Sequence, residues 1–257
     1  GIILGTVFCI SQQSAFIDCS NIEADRIPIE QEKLDKAIAA TKLQLTAIQE
    51  EAKNSNDGLL ENILDVQISI LSDRDMIEEI YVCISDKLIC AANAVDQVFE
   101  QYAKQMENMD NDYLRERAAD IRDVGSRVVR SLLGVSGPNL QGIPDQCVIV
   151  AEELTPSETA QLPKEKIIGM CVEHGGKTSH VAIIAKNMGI PAVVGVSNLM
   201  RYARTGSRII VDAQQETIIL DPNEEARKNY EKKKTAYDQY LCNLQMLRGK
   251  PAQMISG

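Results

Sequence analysis

Residues 2–10 read as one apolar strand, and no second strand signal follows until residue 146. A lone strand leaves its backbone N–H and C=O groups unpaired, so it must find partners among the later strands. Everything between is then an insertion into a sheet-containing domain. That requirement settles the layout before any motif is considered.

The inserted stretch has a helical period. Within residues 30–53, apolar side chains fall three and four apart at Leu34, Ile38, Leu45, Ile48 and Ala52. Asn54-Ser55-Asn56-Asp57-Gly58 breaks the pattern, and a second helix is expected over 59–72. Asp73-Arg74-Asp75 opens a third, ending near Cys90; a fourth passes through Ala94, Val98, Tyr102 and Met106. A fifth carries Leu114, Ala118, Ile121, Gly125, Val128 and Leu132 to a stop at Gly134. Amphipathic helices joined by short breaks make an antiparallel bundle. Beyond Ser136-Gly137-Pro138-Asn139, strands are expected at 146–151, 166–172, 191–196, 208–212 and 216–220, the last two as a hairpin. Residues 223–248 return to a charged helical pattern that reads as a connector.

A length of 257 residues allows one or two domains with a real core. Tryptophan is absent and aromatic residues are 4% of the chain, so that core must be aliphatic. The net charge of −10 argues against nucleic acid or an anionic membrane as partner and permits a basic protein. Seven scattered cysteines, with no leader peptide and an apolar start too short to span a bilayer, read as reduced thiols of a cytoplasmic protein. The initial Gly1, in place of methionine, suggests a trimmed chain.

Between the expected strands at 166–172 and 191–196 lies Gly175-Gly176-Lys177-Thr178-Ser179-His180. Residues 181–188 then form an apolar run closed by Gly189, with Pro191 just beyond, which is a helix stop. A Gly-Gly turn thus delivers His180 to the first turn of a helix, with Ser179 placed to cap it. A helix N-terminus carries unpaired N–H groups and partial positive charge, which favour an anion. An imidazole held there can accept a phosphoryl group. Other readings of the same letters exist. A P-loop needs glycine where Cys171 stands. A lone histidine is more often a structural cap. A metal site from His174, His180 and Cys171 is disfavoured by the presence of only two histidines and the absence of Cys-x-x-Cys spacing.

Resemblance separates these readings. Gly175-Gly176-Lys177-Thr178-Ser179-His180-Val181-Ala182-Ile183-Ile184-Ala185-Lys186, followed by Ile190-Pro191-Ala192, resembles the phosphohistidine signature of the phosphoenolpyruvate-utilising enzymes. Leu154-Thr155-Pro156-Ser157-Glu158-Thr159-Ala160-Gln161-Leu162 and the helix from Asp112 to Gly125 resemble segments of Enzyme I of the bacterial phosphotransferase system. The resemblance covers most of the chain and is to the N-terminal half of that enzyme. It implies an α/β swivelling phosphohistidine domain interrupted by an antiparallel α-helical bundle domain, with a C-terminal linker helix. On this chain the parts are 1–22 with 136–222 for the α/β domain, 23–135 for the helical domain, and 223–257 for the linker. The linker would lead to a C-terminal phosphoenolpyruvate-binding barrel, absent here, which in the family also holds Mg2+.

The resemblance also implies roles. His180 is the phosphoryl acceptor, attacking phosphoenolpyruvate and passing phosphate to the small carrier protein HPr. Thr159 matches the hydroxyl that contacts this imidazole. Gly175, Gly176, Lys177, Thr178 and Ser179 form the phosphate loop, with Lys177 in the family's usual arginine position. Asp65, Asp73, Asp75 and Arg117 fall at HPr-docking positions of the helical domain. No metal ligand is expected in this chain, and His174 is a bystander. The family often has Phe and His where Leu64 and Gln67 stand, and the start lacks the family's Ser-Pro-Gly opening, so a paralogue serving another carrier stays open. So does an Enzyme I-like domain of a multiphosphoryl protein. The swivelling domain of a pyruvate phosphate dikinase or phosphoenolpyruvate synthase lacks the inserted bundle. A docking module with a vestigial phosphate site sits poorly with the intact Gly175–His180 run. With the barrel absent, the fragment is expected to exchange phosphate with HPr and not to use phosphoenolpyruvate itself.

Overall fold

Strand β1 (Ile2–Ile10) does find its partners in the later part of the chain, as its isolation requires. The computed structural model of the chain describes residues 1–11, 17, 20–54, 58–138, 140, 142–176 and 179–248, and within its helices the side chains of 59, 112–114, 116, 180 and 240–248 lie outside that description. Contacts divide the chain into two units. One is Gly1–Ile10, Gly142–Glu153 and Pro163–Gly257; the other is Ser11–Gln141 and Leu154–Leu162.

The second unit is helical. After a 3-10 turn at Ala24–Arg26 come α1 (Ile27–Asn54), α2 (Gly58–Ile70), α3 (Arg74–Lys87), α4 (Ala91–Glu107) and α5 (Asp112–Leu133). Leu34, Leu45, Leu64, Ile80 and Ile84 are fully buried, so the three-four spacing of apolar residues does mark the inward faces. Helix α3 stops short of Cys90 because Leu88 turns left-handed (φ 50°) and Ile89 pairs with Asn21 as an isolated bridge. Helices α4 and α5 pack closely at Gly125, where an added Cβ would lie 2.8 Å from the Phe99 ring.

One sequence expectation is corrected here. The segment Leu154–Leu162, placed with the α/β part on sequence, belongs to the helical unit. It contains the short helix α6 (Pro156–Ala160), capped by Thr155 and closed into a capping box with Glu158. Its attachment is polar and buried. Asp123 on α5 accepts from Gln67 Nε2 of α2 (2.8 Å) and from the backbone N–H (3.3 Å) and hydroxyl (2.6 Å) of Ser157 on α6. Arg127 donates Nε to Asp123 (3.3 Å) and a terminal nitrogen to the Ser157 oxygen (2.6 Å). Arg130 lies 3.8 Å from Glu158, whose carboxyl is pushed up by burial. A sequence window over 154–162 shows none of these partners.

The remaining strands are β2 (Cys147–Ala151), β3 (Ile167–Val172), β4 (Ala192–Val194), β5 (Arg208–Asp212) and β6 (Thr217–Leu220). They and β1 form one mixed sheet in the order β4-β3-β2-β1-β5-β6. Strand β1 runs parallel to β2, with Thr6 opposite Cys147, and antiparallel to β5, with Thr6 opposite Arg208. The β5–β6 hairpin is present. All five residues of β2 are buried, as suits a strand inside a sheet covered on both faces. Gly169 in β3 permits a tight contact: a Cβ there would lie 2.5 Å from Ile3 Cδ1 and 3.3 Å from the Pro191 carbonyl. Among the described residues this unit also has α7 (His180–Met188), the short α8 (Leu199–Tyr202), and α9 (Glu224–Arg248). Helix α9, expected as a connector, lies against β1 and groups with the sheet.

Replacing Asp123 by alanine leaves Arg127, Ser157 and Gln67 without their common acceptor. We expect a loss of about 3–5 kcal/mol from the helical unit. Urea unfolding monitored on that unit measures it, and a loss below about 1 kcal/mol would show that the network carries little of the attachment.

Candidate functional site

The phosphate-loop candidate sits where β3 hands over to α7. Glu173 and His174 leave the strand, with their N–H groups bound to the carbonyls of Ala151 (3.1 Å) and Glu152 (3.0 Å). Gly175 then takes φ +112°, which favours glycine, and a Cβ on it would lie 3.2 Å from Ser179 Oγ and press on that side chain. Ser179 donates its N–H to the Gly176 carbonyl (2.9 Å) and caps α7, its hydroxyl accepting from Ala182 N–H (3.4 Å). Gly189 closes the helix in the left-handed region (φ 70°). Both ends of α7 therefore stand where the capping residues place them.

His180 is the first residue of this helix. Its imidazole, and all of Lys177 and Thr178, lie outside the described residues. What the backbone defines is the setting: a capped helix N-terminus whose first-turn N–H groups favour an anion. Behind it Val181, Ile184 and Ala185 are buried and anchor the helix. His174 is exposed, on the strand side of the glycines.

The turn after β4 lies beside this loop. Gly195 (φ +79°) sits where a Cβ would be 3.4 Å from the Gly175 carbonyl, and Val196 N–H donates to the Val172 carbonyl (3.2 Å). Glu173 reaches across the same gap and accepts the Met200 N–H at 2.5 Å. Sequence reading missed this tie, because the two residues are far apart in the chain and no motif joins them.

Thr159 is on α6 of the helical unit, whereas His180 is in the sheet unit. The Thr159 side chain is fully buried and its hydroxyl donates to the Thr155 carbonyl (2.8 Å). The proton is therefore spent locally, and the oxygen keeps lone pairs for an N–H donor.

The four docking candidates differ in what the structure does with them. Asp65 is exposed and takes a hydrogen bond from Gln49 Nε2 of α1. Asp73 is the N-cap of α3, accepting from the N–H groups of Asp75 (3.0 Å) and Met76 (3.1 Å). Asp75 is exposed. Arg117 is paired with Asp120 at 3.0 Å and is only partly exposed. Negative potential gathers at the α3–α4 contact: the Tyr102 hydroxyl is pushed up to about 12 by its hydrogen bond to Glu79, by burial, and by the charges of Glu79, Asp73 and Asp75. Leu64 and Gln67, the two departures weighed for carrier choice, are both fully buried, and Gln67 serves Asp123. Those departures act on packing inside the bundle.

Comparison with known proteins agrees along nearly the whole chain. Residues 1–117 match the family described as PEP-utilising enzyme, N-terminal, and residues 143–216 match PEP-utilising enzyme, mobile domain. The solution structure of Enzyme I (nEIt) superposes with a TM-score of 0.78 at 36% identity, covering 93% of this chain and 96% of that one. The chain belongs to the Enzyme I family. A phosphoenolpyruvate-protein phosphotransferase of Staphylococcus epidermidis is 36% identical over all of this chain and 45% of its own length. That of Bacillus subtilis is 37% identical over 92% of this chain and 41% of its own length. The chain thus spans somewhat under half the length of these curated Enzyme I relatives. A further structure, the N-terminal domain of Enzyme 1 - Nitrogen, shares the fold at a TM-score of 0.52 and 22% identity.

The cap geometry separates two nearby carboxylates of this chain. Asp73→Ala should cost the helical unit about 1 kcal/mol through loss of the α3 cap. Asp75→Ala should stay within about 0.5 kcal/mol. Chemical denaturation of both variants checks this, and equal losses would contradict the assignment of the cap to Asp73.

Proposed function

We propose that the chain is a phosphoryl carrier in which His180 takes phosphate and exchanges it with the carrier protein HPr. The observation that carries the reading is the placing of His180 as first residue of a Ser179-capped helix directly after a glycine turn, in a chain of this family. In the step proposed, an imidazole nitrogen lone pair attacks the phosphorus of phospho-HPr. The P–N bond of the donor breaks as the new one forms, and the proton balance is kept on the two imidazoles. Amides of the first turn of α7 and the Lys177 ammonium would favour the dianion. Thr159, through its free lone pairs, is the proposed partner of the imidazole N–H.

Docking is assigned to the acidic surface of the helical unit. Asp65, Asp73 and Asp75 are exposed there, and the net charge of −10 suits a basic partner. Asp73 and Arg117 have their carboxylate and guanidinium already engaged in capping and pairing. Phosphoenolpyruvate and Mg2+ are assigned to the part of the longer relatives that this chain does not span. The described residues gather no group of three or more His, Cys, Asp or Glu side chains fit to hold a metal ion, and no step here is routed through one. A cytoplasmic location is part of the same proposal. Among the described residues no helix is long and apolar enough to cross a membrane.

Incubation with phospho-HPr should place acid-labile phosphate on this chain. His180→Ala should abolish uptake without changing the melting curve, and His174→Ala should leave uptake intact. Mass spectrometry under alkaline conditions reads the modified residue, and the reverse pattern would transfer the role to His174. Phosphoenolpyruvate with Mg2+ alone should leave the chain unlabelled; labelling would show a complete donor site within these residues.

A further inference from the structure

We infer that Glu173 is a positioning residue for the loop that carries His180, acting by capping α8 from across the loop. The inference rests on the phosphoryl-carrier reading above for its functional arm, and on geometry alone for its structural arm. Helix α8 begins poorly. Its N-cap, Asn198, is left-handed (φ 59°) and makes no side-chain cap hydrogen bond. The orphan N–H of Met200, in the first turn, is satisfied by the Glu173 carboxylate at 2.5 Å. A charged acceptor on a helix N–H is the stronger kind of cap.

That cap does more than finish a short helix. Glu173 is the first residue after β3 and stands two residues before Gly175. Leu199, the first residue of α8, is buried in the core beside Val7, Val150 and Cys171. The Glu173–Met200 bond therefore ties the start of the loop to a point fixed in the core. The turn it holds, through Gly195 and Val196, lies against Gly175 and Val172. With the carboxylate removed, Val196 N–H still binds Val172, but the turn loses the tie on its far side. The wall beside Gly175 is then free to shift, and with it the path by which the glycines present Ser179 and His180. A small displacement of a nucleophile is enough to slow transfer, while docking on the helical unit is untouched.

The test uses the whole 257-residue chain as Glu173→Ala and Glu173→Gln. Glutamine keeps a carbonyl oxygen that can accept the Met200 N–H, so it separates the hydrogen bond from the charge. Hydrogen exchange followed by NMR should show faster exchange at Met200 and Val196 in Glu173→Ala, by about tenfold, with protection in the sheet unchanged. With phospho-HPr as donor, the rate of phosphate uptake at saturation should fall by about tenfold or more while the half-saturating concentration stays put. Glu173→Gln should recover most of both. A rate for Glu173→Ala within twofold of the unsubstituted chain overturns the inference, as does a glutamine variant no better than alanine. So does a loss that lies in the half-saturating concentration. If the unsubstituted chain takes no phosphate from phospho-HPr, the carrier reading fails by itself. The exchange rates then decide alone whether Glu173 holds this loop.

Discussion

The carboxylate of Asp123 is where the helical unit is joined. It is buried on α5, and its partners come from α2, from α6 and from its own helix one turn on. A buried carboxylate without partners would be untenable. Asp123 is fully buried and Arg127 only narrowly exposed, so the helices must hold the arrangement that gives the carboxylate its partners. The consequence is topological. The chain leaves the sheet unit after Glu153, spends Leu154–Leu162 on the helical unit, and returns at Pro163. A segment with the letters of a loop between two strands is thereby made part of the bundle, and Thr159 with it.

The sheet unit is governed by a different requirement, the pairing of β1. Because β1 lies between β2 and β5, the parallel strands β4-β3-β2-β1 and the antiparallel hairpin share one sheet. The glycine turn follows the carboxyl end of β3, and the turn after β4 lies beside it. In open sheets of this kind ligand chemistry gathers beyond the carboxyl ends of parallel strands. The glycine turn proposed as the phosphate loop stands where that rule expects a ligand. It also combines two features that favour an anion, a glycine turn that permits close approach and a capped helix N-terminus that carries positive charge. Each is cheap in sequence, which is why a run of six residues can mark the site.

What was legible in the sequence was local or forced. Ser179 and Gly189 bound α7 because capping depends on neighbours three or four residues away. The partnership of β1 with later strands was forced, since an unpaired strand is not viable. The bundle's inward faces followed from periodicity. Hidden from the sequence were contacts whose partners are distant and whose letters are common. Gln67 looked like a surface departure at a docking face and is a buried donor to Asp123. Ser157, one polar residue in a polar run, is both donor to Asp123 and acceptor from Arg127. Asp123 and Arg127 stand four apart on α5, and such pairs on exposed faces are usual and weak. Burial gave this one its weight, and burial of a charged pair is not readable from spacing.

The same distinction bears on how an acidic surface can recognise a partner. Carboxylates that cap a helix or close an ion pair are held in one geometry. Their charge is partly offset by the groups they serve. Asp73 is of this kind, and its bonds to two backbone N–H groups fix its position at the start of α3. Asp75, two residues on and likewise exposed, adds charge without such fixation. Asp65 lies between these cases, exposed but steered by Gln49. A surface built from one fixed and one loose carboxylate can present a defined register while the remaining field draws a basic partner in. Long-range attraction sets the rate of encounter and is screened over about 8–10 Å at ordinary salt. Fixed groups set which encounter is kept. Charge counted along the sequence reports only the first of these. The hydrogen bonds around each carboxylate report the second, and under the docking proposed above Asp73 and Asp65 would be the members held in place to select a partner by geometry.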